Sequence, residues 1–228
     1  MSSTTAHGHG PAKRPMQKLH KPRKGEKPLP IPALLLDATE EPDIVTIPAR
    51  SVLAFDGEGA PETDAFKAAF GALYGVAFTL EFARKAEGAA EFKIGPLEGK
   101  WWAALEGTAF LEAPRESWRW RLRIAMPEDM TETEVAIAIR AVTTRKGGKL
   151  EGDRDTLRVR LERVPAQRVV RALHVGPYAE ERRTFERMAR ACEAAHVAGD
   201  FAHVEVYLSD PRRTPPAKLK TVLLREVR

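Results

Sequence analysis

The sequence predicts an α+β fold built from two copies of a strand–helix–strand–strand unit. Two stretches carry the prediction. IPARSVLAFDGEG, from Ile47, and VPAQRVVRALHVG, from Val164, share a proline, alanine, valine and closing glycine at an offset of 117 residues. A second pair of similar stretches, KWWAALE from Lys100 and KTVLLRE from Lys220, has an offset of 120 residues. Two pairs of similar stretches, in the same order and at nearly the same offset, indicate an internal duplication.

Each element of the first copy has a local signal. Residues 43–59, DIVTIPARSVLAFDGEG, are rich in β-branched and apolar residues and predict a strand region. Thr63 is a good N-cap for the following helix, in which apolar residues recur every three or four positions. EFKIGPLEG and KWWAALEG predict two short strands, separated by the Gly95-Pro96 turn. We assign repeat one to residues 43–110.

The second copy follows a connecting segment, residues 111–157. In WRWRLRIAM, apolar residues alternate with arginine, which predicts a half-buried strand. Thr131 and Glu134 have the spacing of a capping box and predict a helix start. Repeat two, residues 158–228, contains a long strand, a helix and the strands FAHVEVYL and KTVLLREV. Residues 42–228 therefore form one domain, whose antiparallel sheets we expect to enclose a concave ligand cleft with the helices packed behind.

The bulk composition is typical of a folded soluble chain, because 43% of its 228 residues are hydrophobic and 30% are charged. No apolar run approaches the roughly 18 residues of a spanning helix, and the N-terminus lacks the hydrophobic core of a signal peptide. A single cysteine, Cys192, excludes an internal disulfide and is typical of a reducing compartment. We expect a cytoplasmic protein with no membrane partner.

The formal charge of +5 comes from the N-terminus. Residues 1–30 hold seven Lys or Arg and one acid, whereas the remainder holds 30 Lys or Arg and 31 acids. The rest of the chain has almost no net charge and so lacks the excess positive charge that binds a polyanion. Nucleic acid is therefore not an expected partner of the folded domain. Residues 1–41 are rich in Pro, Gly and Lys without apolar periodicity, and we expect them to form a disordered basic tail.

The stretch HVEVY carries the main candidate for function. Strand side chains alternate between faces, so His203, Glu205 and Tyr207 share one face and the two valines share the other. We expect the valines to cover the helix and the polar face to line the cleft. Copy one carries Lys93 near the register of Glu205, so the duplication is asymmetric there. A carboxylate among apolar and aromatic groups is suited to attracting a cation or moving a proton; a solvated or ion-paired carboxylate is the alternative.

Aromatic side chains that could stack on a flat ligand surround the predicted cleft. The alternative is that they are core residues, and at least one of the two adjacent tryptophans must be. A structural role is also the alternative for the strand histidine His174. The candidate catalytic residues are Glu205, Tyr178 and Tyr207, and the candidate ligand-binding residues are Trp101, Trp102, Tyr74, Phe78, His174 and His203. Motifs for phosphate, dinucleotide, zinc or serine-hydrolase chemistry are absent, so we expect no metal and no organic cofactor.

Five stretches resemble the GyrI-like small-molecule-binding family: FDGEGAPE, ALYGVAFTLEF, PLEGKWW, HVGPYAEE and EVYLSDPRRTPPAKLKTVLLREV. The resemblance covers about residues 43–228, and PLEGKWW and EVYLSDPRRT are its most specific parts. It implies two repeats that face a shared cleft for aromatic or cationic xenobiotics. Some members are effector domains of drug-responsive regulators, and others protect DNA gyrase. Lys100 and the basic tail depart from the family pattern.

The WW and YLSDPRR motifs are most similar to cyclopropanoid cyclopropyl hydrolases, which open the strained ring of DNA-alkylating natural products by adding water. This resemblance implies that Glu205 is the carboxylate of the pocket. Our hypothesis is that Glu205 acts as general base and that the hydroxyl of Tyr178 or Tyr207 donates a hydrogen bond to the ligand carbonyl. Three alternatives stay open: a protein that sequesters drugs unchanged, the effector domain of a regulator without its DNA reader, and haem binding through His174 or His203.

Overall fold

The structure, a computed structural model, describes residues 27–103, 113–145 and 154–228. Eight strands form one antiparallel sheet in the order β1-β6-β8-β7-β3-β4-β2-β5, and three α-helices accompany it within these ranges. The predicted α+β class is confirmed. The strands are β1 (Asp43–Ile47), β2 (Arg50–Glu58), β3 (Leu97–Ala103), β4 (Trp118–Met126), β5 (Arg160–Val164), β6 (Gln167–Val175), β7 (His203–Tyr207) and β8 (Lys220–Glu226), and the helices are α1 (Asp64–Ala86), α2 (Glu132–Arg145) and α3 (Arg182–Ala194).

The strand order shows the duplication directly. Four strands on one side, β1-β6-β8-β7, repeat as β5-β2-β4-β3 on the other, and the two halves join where β7 pairs with β3. The registers agree with the offset of 117 residues, because Ile47 lies opposite Gln167 and Arg50 lies opposite Val164. The first strand of each repeat crosses to the other half, since β1 pairs with β6 and β5 pairs with β2. The two repeats are therefore interlocked at both edges of the sheet.

The structure corrects the strand assignment in repeat one. Residues 91–96 form no strand, and β3 is the one strand between α1 and residue 103, where the described range ends. The segment is held instead by the side chain of Phe92, which is 1% exposed in the core, while Lys93 points to solvent. The third strand of this unit is β4, which pairs with β2 and β3 as β8 pairs with β6 and β7. KWWAALE therefore corresponds to β7, and its likeness to KTVLLRE is not a structural equivalence.

Helices α1 and α2 begin at the predicted caps. The hydroxyl of Thr63 accepts a hydrogen bond from the backbone N–H of Phe66 at 3.3 Å. At α2, the N–H of Glu134 donates to the hydroxyl of Thr131, and the Glu134 carboxylate accepts from the Thr131 N–H. By length and composition alone α1 is apolar enough to cross a membrane. One side of it packs on the sheet through Leu73, Val76 and Leu80, as in a core helix of a soluble fold.

Helix α3 covers the other half of the sheet. Its apolar side, Phe185, Met188 and Cys192, is buried against Val170 and Leu223. Both α1 and α3 therefore lie on the same face of the sheet, one over each repeat, because the equivalent strands of the two repeats present their apolar side chains to them.

The opposite face of the sheet is covered by the segment before β1. We expected disorder up to residue 41, but from residue 27 onward the chain packs on the sheet. Ile31 and Leu35 are 5% and 1% exposed in a cluster that includes Val206 of β7. The guanidinium of Arg171 fastens the segment by bonding to Asp37 at 2.6 Å. The apolar run IPALLL therefore provides a cover for the sheet, and residues 1–26 lie outside the described residues.

Candidate functional site

The candidate site lies on the face of the sheet that carries the helices. Because the N-terminal segment covers the valines of β7, the side chains of His203, Glu205 and Tyr207 point the other way, toward α1 and α3. We expected the helices behind the valines and an open cleft in front of Glu205, and this arrangement was wrong. The physical reason is that the apolar run at residues 31–36, and not a helix, buries the valine face.

Glu205 lies at the centre of the duplication. It is directly opposite Gly99 where β7 pairs with β3, and superposing the two repeats by their strand registers places Gly99 on Glu205 and Trp101 on Tyr207. A Cβ atom at Gly99 would lie 2.7 Å from the indole nitrogen of Trp101 and 3.1 Å from the hydroxyl of Tyr207. The missing side chain at Gly99 thus gives these two aromatic groups room to meet beside the carboxylate.

The side chains around Glu205 hold one another in place. Nε1 of Trp101 donates a hydrogen bond to the hydroxyl of Tyr207 at 3.1 Å. Oε1 of Glu205 lies 2.9 Å from Nε2 of His203, and the His203 ring packs edge-on against Phe185 with centroids 4.8 Å apart. Glu205 itself is 8% exposed. The carboxylate is therefore oriented by a buried histidine, and a carboxylate has further lone pairs that can accept hydrogen bonds.

A second carboxyl group, that of Glu181 at the N-cap of α3, is close enough to Glu205 for the two charges to interact. The backbone carbonyl of Glu181 accepts from the N–H groups of Thr184 and Phe185, which fixes it in the first turn. Its side chain is buried, and its Oε1 has no hydrogen-bond partner among the described residues. Burial, with the negative charge of Glu205, raises the pKa of Glu181 to about 10. Glu181 therefore carries a proton at neutral pH beside a second carboxyl group.

Glu181 is not among the site residues predicted from the sequence, although its position in the sequence carries a signal. Glu181 lies four residues before Phe185 and seven before Met188, so it shares the buried side of α3 with the apolar residues. An acid on the apolar side of an amphipathic helix is a candidate for a perturbed carboxyl group.

Two tyrosines complete the polar part of the site. Tyr178, in the short 3-10 turn Tyr178–Glu180, contacts the ring of Tyr207 edge-on with centroids 5.9 Å apart. Burial raises the pKa of Tyr178 to about 12, and the charges of Glu205 and Glu181 add to the effect. Burial, followed by the charge of Glu205, raises the pKa of Tyr207 well above its usual range. Both hydroxyls therefore stay protonated and can donate hydrogen bonds.

Helix α1 contributes an aromatic wall. Phe66 stacks on Trp101 with centroids 5.8 Å apart, and Tyr74 contacts Phe70 at 4.6 Å and Phe78 at 6.0 Å. Burial raises the pKa of Tyr74, and the charges of Arg212 and Asp210, in the loop after β7, also act on its hydroxyl. The charge of Asp210 acts on Tyr178 as well. The tyrosines of α1 and of the 3-10 turn therefore flank this loop.

Three predicted site residues lie away from Glu205. Trp102 is on the other face of β3 from Trp101, and Phe78 is 45% exposed on α1. His174 is buried with Nδ1 3.0 Å from the hydroxyl of Thr184 and Nε2 3.1 Å from the carbonyl of Pro177. Burial lowers the pKa of His174, so its neutral ring connects α3 to the turn that carries Tyr178.

The site's donor set does not resemble a metal site. No group of three or more His, Cys, Asp or Glu side chains suited to a metal ion occurs in the part of the chain that the structure describes. Stacked rings, two protonated hydroxyls and two unlike carboxyl groups suit an uncharged or cationic aromatic ligand and proton transfer.

Comparisons with known proteins agree with this architecture. A family model, the GyrI-like small molecule binding domain, matches residues 123–225. An uncharacterized conserved protein from Listeria innocua is 31% identical, with a TM-score of 0.77 over 86% of this chain and 96% of that chain. Two structures described as hydrolases from the same organism are 28% and 29% identical, with TM-scores of 0.74 and 0.75 and the same coverage. No curated protein matches the chain. By its architecture and by these similarities, the chain belongs to the GyrI-like small-molecule-binding family.

Proposed function

We propose that this protein is a hydrolase that binds planar aromatic xenobiotics between its two repeats and opens a cyclopropane ring in them by adding water. One arrangement carries the proposal: two buried carboxyl groups, Glu181 and Glu205, lie within electrostatic reach of each other and of the ring of Tyr207, and burial with the charge of Glu205 raises the pKa of Glu181. Two carboxyl groups whose environments separate their protonation states are the usual arrangement for an acid and a base. The hydrolase descriptions of the two related structures from Listeria innocua support the reaction class.

Binding rests on the ring surfaces. A flat ligand that enters between α1 and the 3-10 turn would meet Tyr178 on one side and Tyr74 on the other, with Trp101 and Tyr207 below. Each well-placed aromatic pair adds about 0.5–1.5 kcal/mol beyond the burial of apolar area. This arrangement holds the ligand so that its reacting carbon and a water molecule lie together near Glu205, which lowers the entropic part of the barrier.

The chemistry uses Glu205 as the general base. Its carboxylate takes a proton from water while the water oxygen forms a bond to a cyclopropane carbon. The carbon–carbon bond that breaks gives its electron pair to the conjugated dienone, and negative charge develops on the carbonyl oxygen. That oxygen accepts hydrogen bonds from the protonated Tyr178 hydroxyl and takes a proton from Glu181. Proton return from Glu205 to Glu181 restores both groups, and the net change is addition of one water.

Turnover tests the proposal. The purified protein is incubated with a cyclopropane-fused dienone alkylator, and the dienone absorbance and the mass gain of one water are followed. We expect Glu205→Gln and Glu181→Gln each to lower kcat by about 10²-fold or more, the range for loss of a general base or acid. The matched control is Glu180→Gln, a neighbouring acid that is half exposed and paired with Arg183. Equal rates in all four proteins would contradict the assignment.

A second candidate is a protein that sequesters aromatic drugs without changing them. The small-molecule-binding description of the family model favours it, and Glu205 and Asp210 would then act as counter-charges for a cationic ligand. Saturable binding of one ligand per chain, with the ligand recovered unchanged, identifies this outcome. In that case Glu205→Gln should weaken binding of cationic ligands and leave neutral ones unaffected.

A further inference from the structure

The outer side of α3 borders a cavity that the proposed reaction does not use. The cavity has a volume of about 390 Å³. Three arginines of α3 share this side because they recur at helical spacing. The lining residues are Glu40, His174, Val175, Arg183, Glu186, Arg187 and Arg190. We infer that this cavity binds a phosphate group, either free or carried on a small organic molecule.

The three guanidinium groups differ in how many hydrogen-bond and ion-pair partners the protein gives them. Arg183 lies 3.0 Å from the carboxylate of Glu180 and donates to the carbonyl of Val175 at 2.8 Å. Arg187 donates through Nη2 to the hydroxyl of Thr184 at 3.1 Å, and its Nε has no acceptor among the described residues. The guanidinium of Arg190 forms no ion pair or hydrogen bond with any residue that the structure describes. The guanidinium groups of Arg187 and Arg190 therefore have no carboxylate partner in the described part of the chain.

The carboxylates near the cavity do not cancel this charge. Glu186 lies 3.5 Å from Arg182, outside the lining set, and Glu40 is exposed. With Arg183 paired to Glu180 and Glu186 paired to Arg182, the lining keeps two guanidinium groups, Arg187 and Arg190, against the single carboxylate of Glu40, which leaves the cavity positive. Guanidinium forks bind phosphate through two parallel hydrogen bonds, and a phosphate dianion has enough acceptor oxygens for two forks at once. A single carboxylate would satisfy only one, so phosphate fits the site better.

The site is partly ordered in advance. The Thr184 hydroxyl that accepts from Arg187 is itself 3.0 Å from Nδ1 of His174, and Thr184 and His174 are both buried. Because the acceptor of Arg187 is fixed in this way, the guanidinium loses less conformational freedom when it binds an anion. The volume also lies in the range of about 300–1,000 Å³ for small-molecule pockets, which leaves room for an organic group attached to the phosphate.

The test is a titration of the full-length protein with inorganic phosphate and, separately, with glucose 6-phosphate at low ionic strength. Calorimetry reports affinity, and the NMR resonance of the Arg187 Nε–H group reports the place of binding. Arg187→Gln and Arg190→Gln are compared with Arg140→Gln, which removes an exposed arginine of α2. We expect each α3 variant to weaken binding about tenfold, equivalent to about 1.4 kcal/mol, and Arg140→Gln to match wild type.

Three results would overturn the inference. The first is no binding of either probe up to about 50 mM. The second is an equal loss of affinity in all three variants, which would indicate attraction by net charge alone. The third is a peptide of glutamates that binds while both phosphate probes do not, which would assign the surface to an acidic protein. Tighter binding of glucose 6-phosphate than of phosphate would identify a carried phosphate as the better ligand.

Discussion

Replacing Glu181 with glutamine should make the protein more stable in alkaline solution. Wild type must keep the Glu181 carboxyl protonated in the fold, because burial and the nearby Glu205 raise its pKa to about 10 from a usual 4.5. Glutamine has nearly the same shape and no charge. The Glu181→Gln protein therefore does not have to bind a proton from alkaline solution when it folds, and it avoids the free-energy cost of that step. The side chain is 6% exposed, and solvent therefore screens little of the effect.

The sign and size follow from proton linkage. Between pH 4.5 and 10 the folded state binds a proton at Glu181 that the unfolded state has released. The contribution of Glu181 to the free energy of unfolding is therefore undiminished below pH 4.5. It falls as the pH rises toward 10, by at most about 1.4 kcal/mol per pH unit. From about pH 5 to about pH 8, wild type should lose at most about 4 kcal/mol relative to Glu181→Gln.

Urea denaturation at both pH values measures this difference. The control is Glu180→Gln, because Glu180 is half exposed and its substitution leaves the buried carboxyl in place. We expect the free energy of unfolding of wild type and Glu180→Gln to fall together with rising pH, while that of Glu181→Gln falls much less. If all three proteins lose the same free energy, Glu181 is ionised in the fold and the division between an acid and a base is wrong.

Three further predictions concern the fold around the site. Gly99→Ala should destabilise the protein by about 1–3 kcal/mol in urea, because its Cβ would overlap Trp101 and Tyr207; wild-type stability would refute the close approach. Leu35→Ala should cost about 2–5 kcal/mol, since Leu35 is buried against the sheet, and an unchanged urea midpoint would show that the segment is not bound there. Thr63→Ala should cost about 1 kcal/mol through loss of the α1 cap, whereas Thr63→Ser should restore it.

Much of the fold follows from local patterns in the sequence. The offset of 117 residues reproduces the registers of β2 and β6, and the caps at Thr63 and Thr131 lie where the sequence placed them. The exchange of β1 and β5 between the halves could not be predicted in this way. A strand's alternation shows that one face is buried but does not identify the neighbouring strand, which depends on the packing of the whole sheet.

The site was predictable in part for the same reason. Alternation in HVEVY grouped His203 with Glu205 and Tyr207, and the structure keeps them on one face. The direction of that face depended on what covers the valines, and the run at residues 31–36, which covers them, was included in the tail expected to be disordered. Glu181 comes near Glu205 only through the packing of α3 on the sheet, which no local pattern specifies.

The most direct test of the account is the ionisation of Glu181 itself, followed by ¹³C NMR of its side-chain carboxyl across the pH range. We expect this carbon to titrate near pH 10 and the Glu205→Gln substitution to lower the midpoint, because one source of the shift, the neighbouring negative charge, is removed. A midpoint near 4.5, unaffected by Glu205→Gln, would contradict the paired acid and base on which the proposed reaction depends.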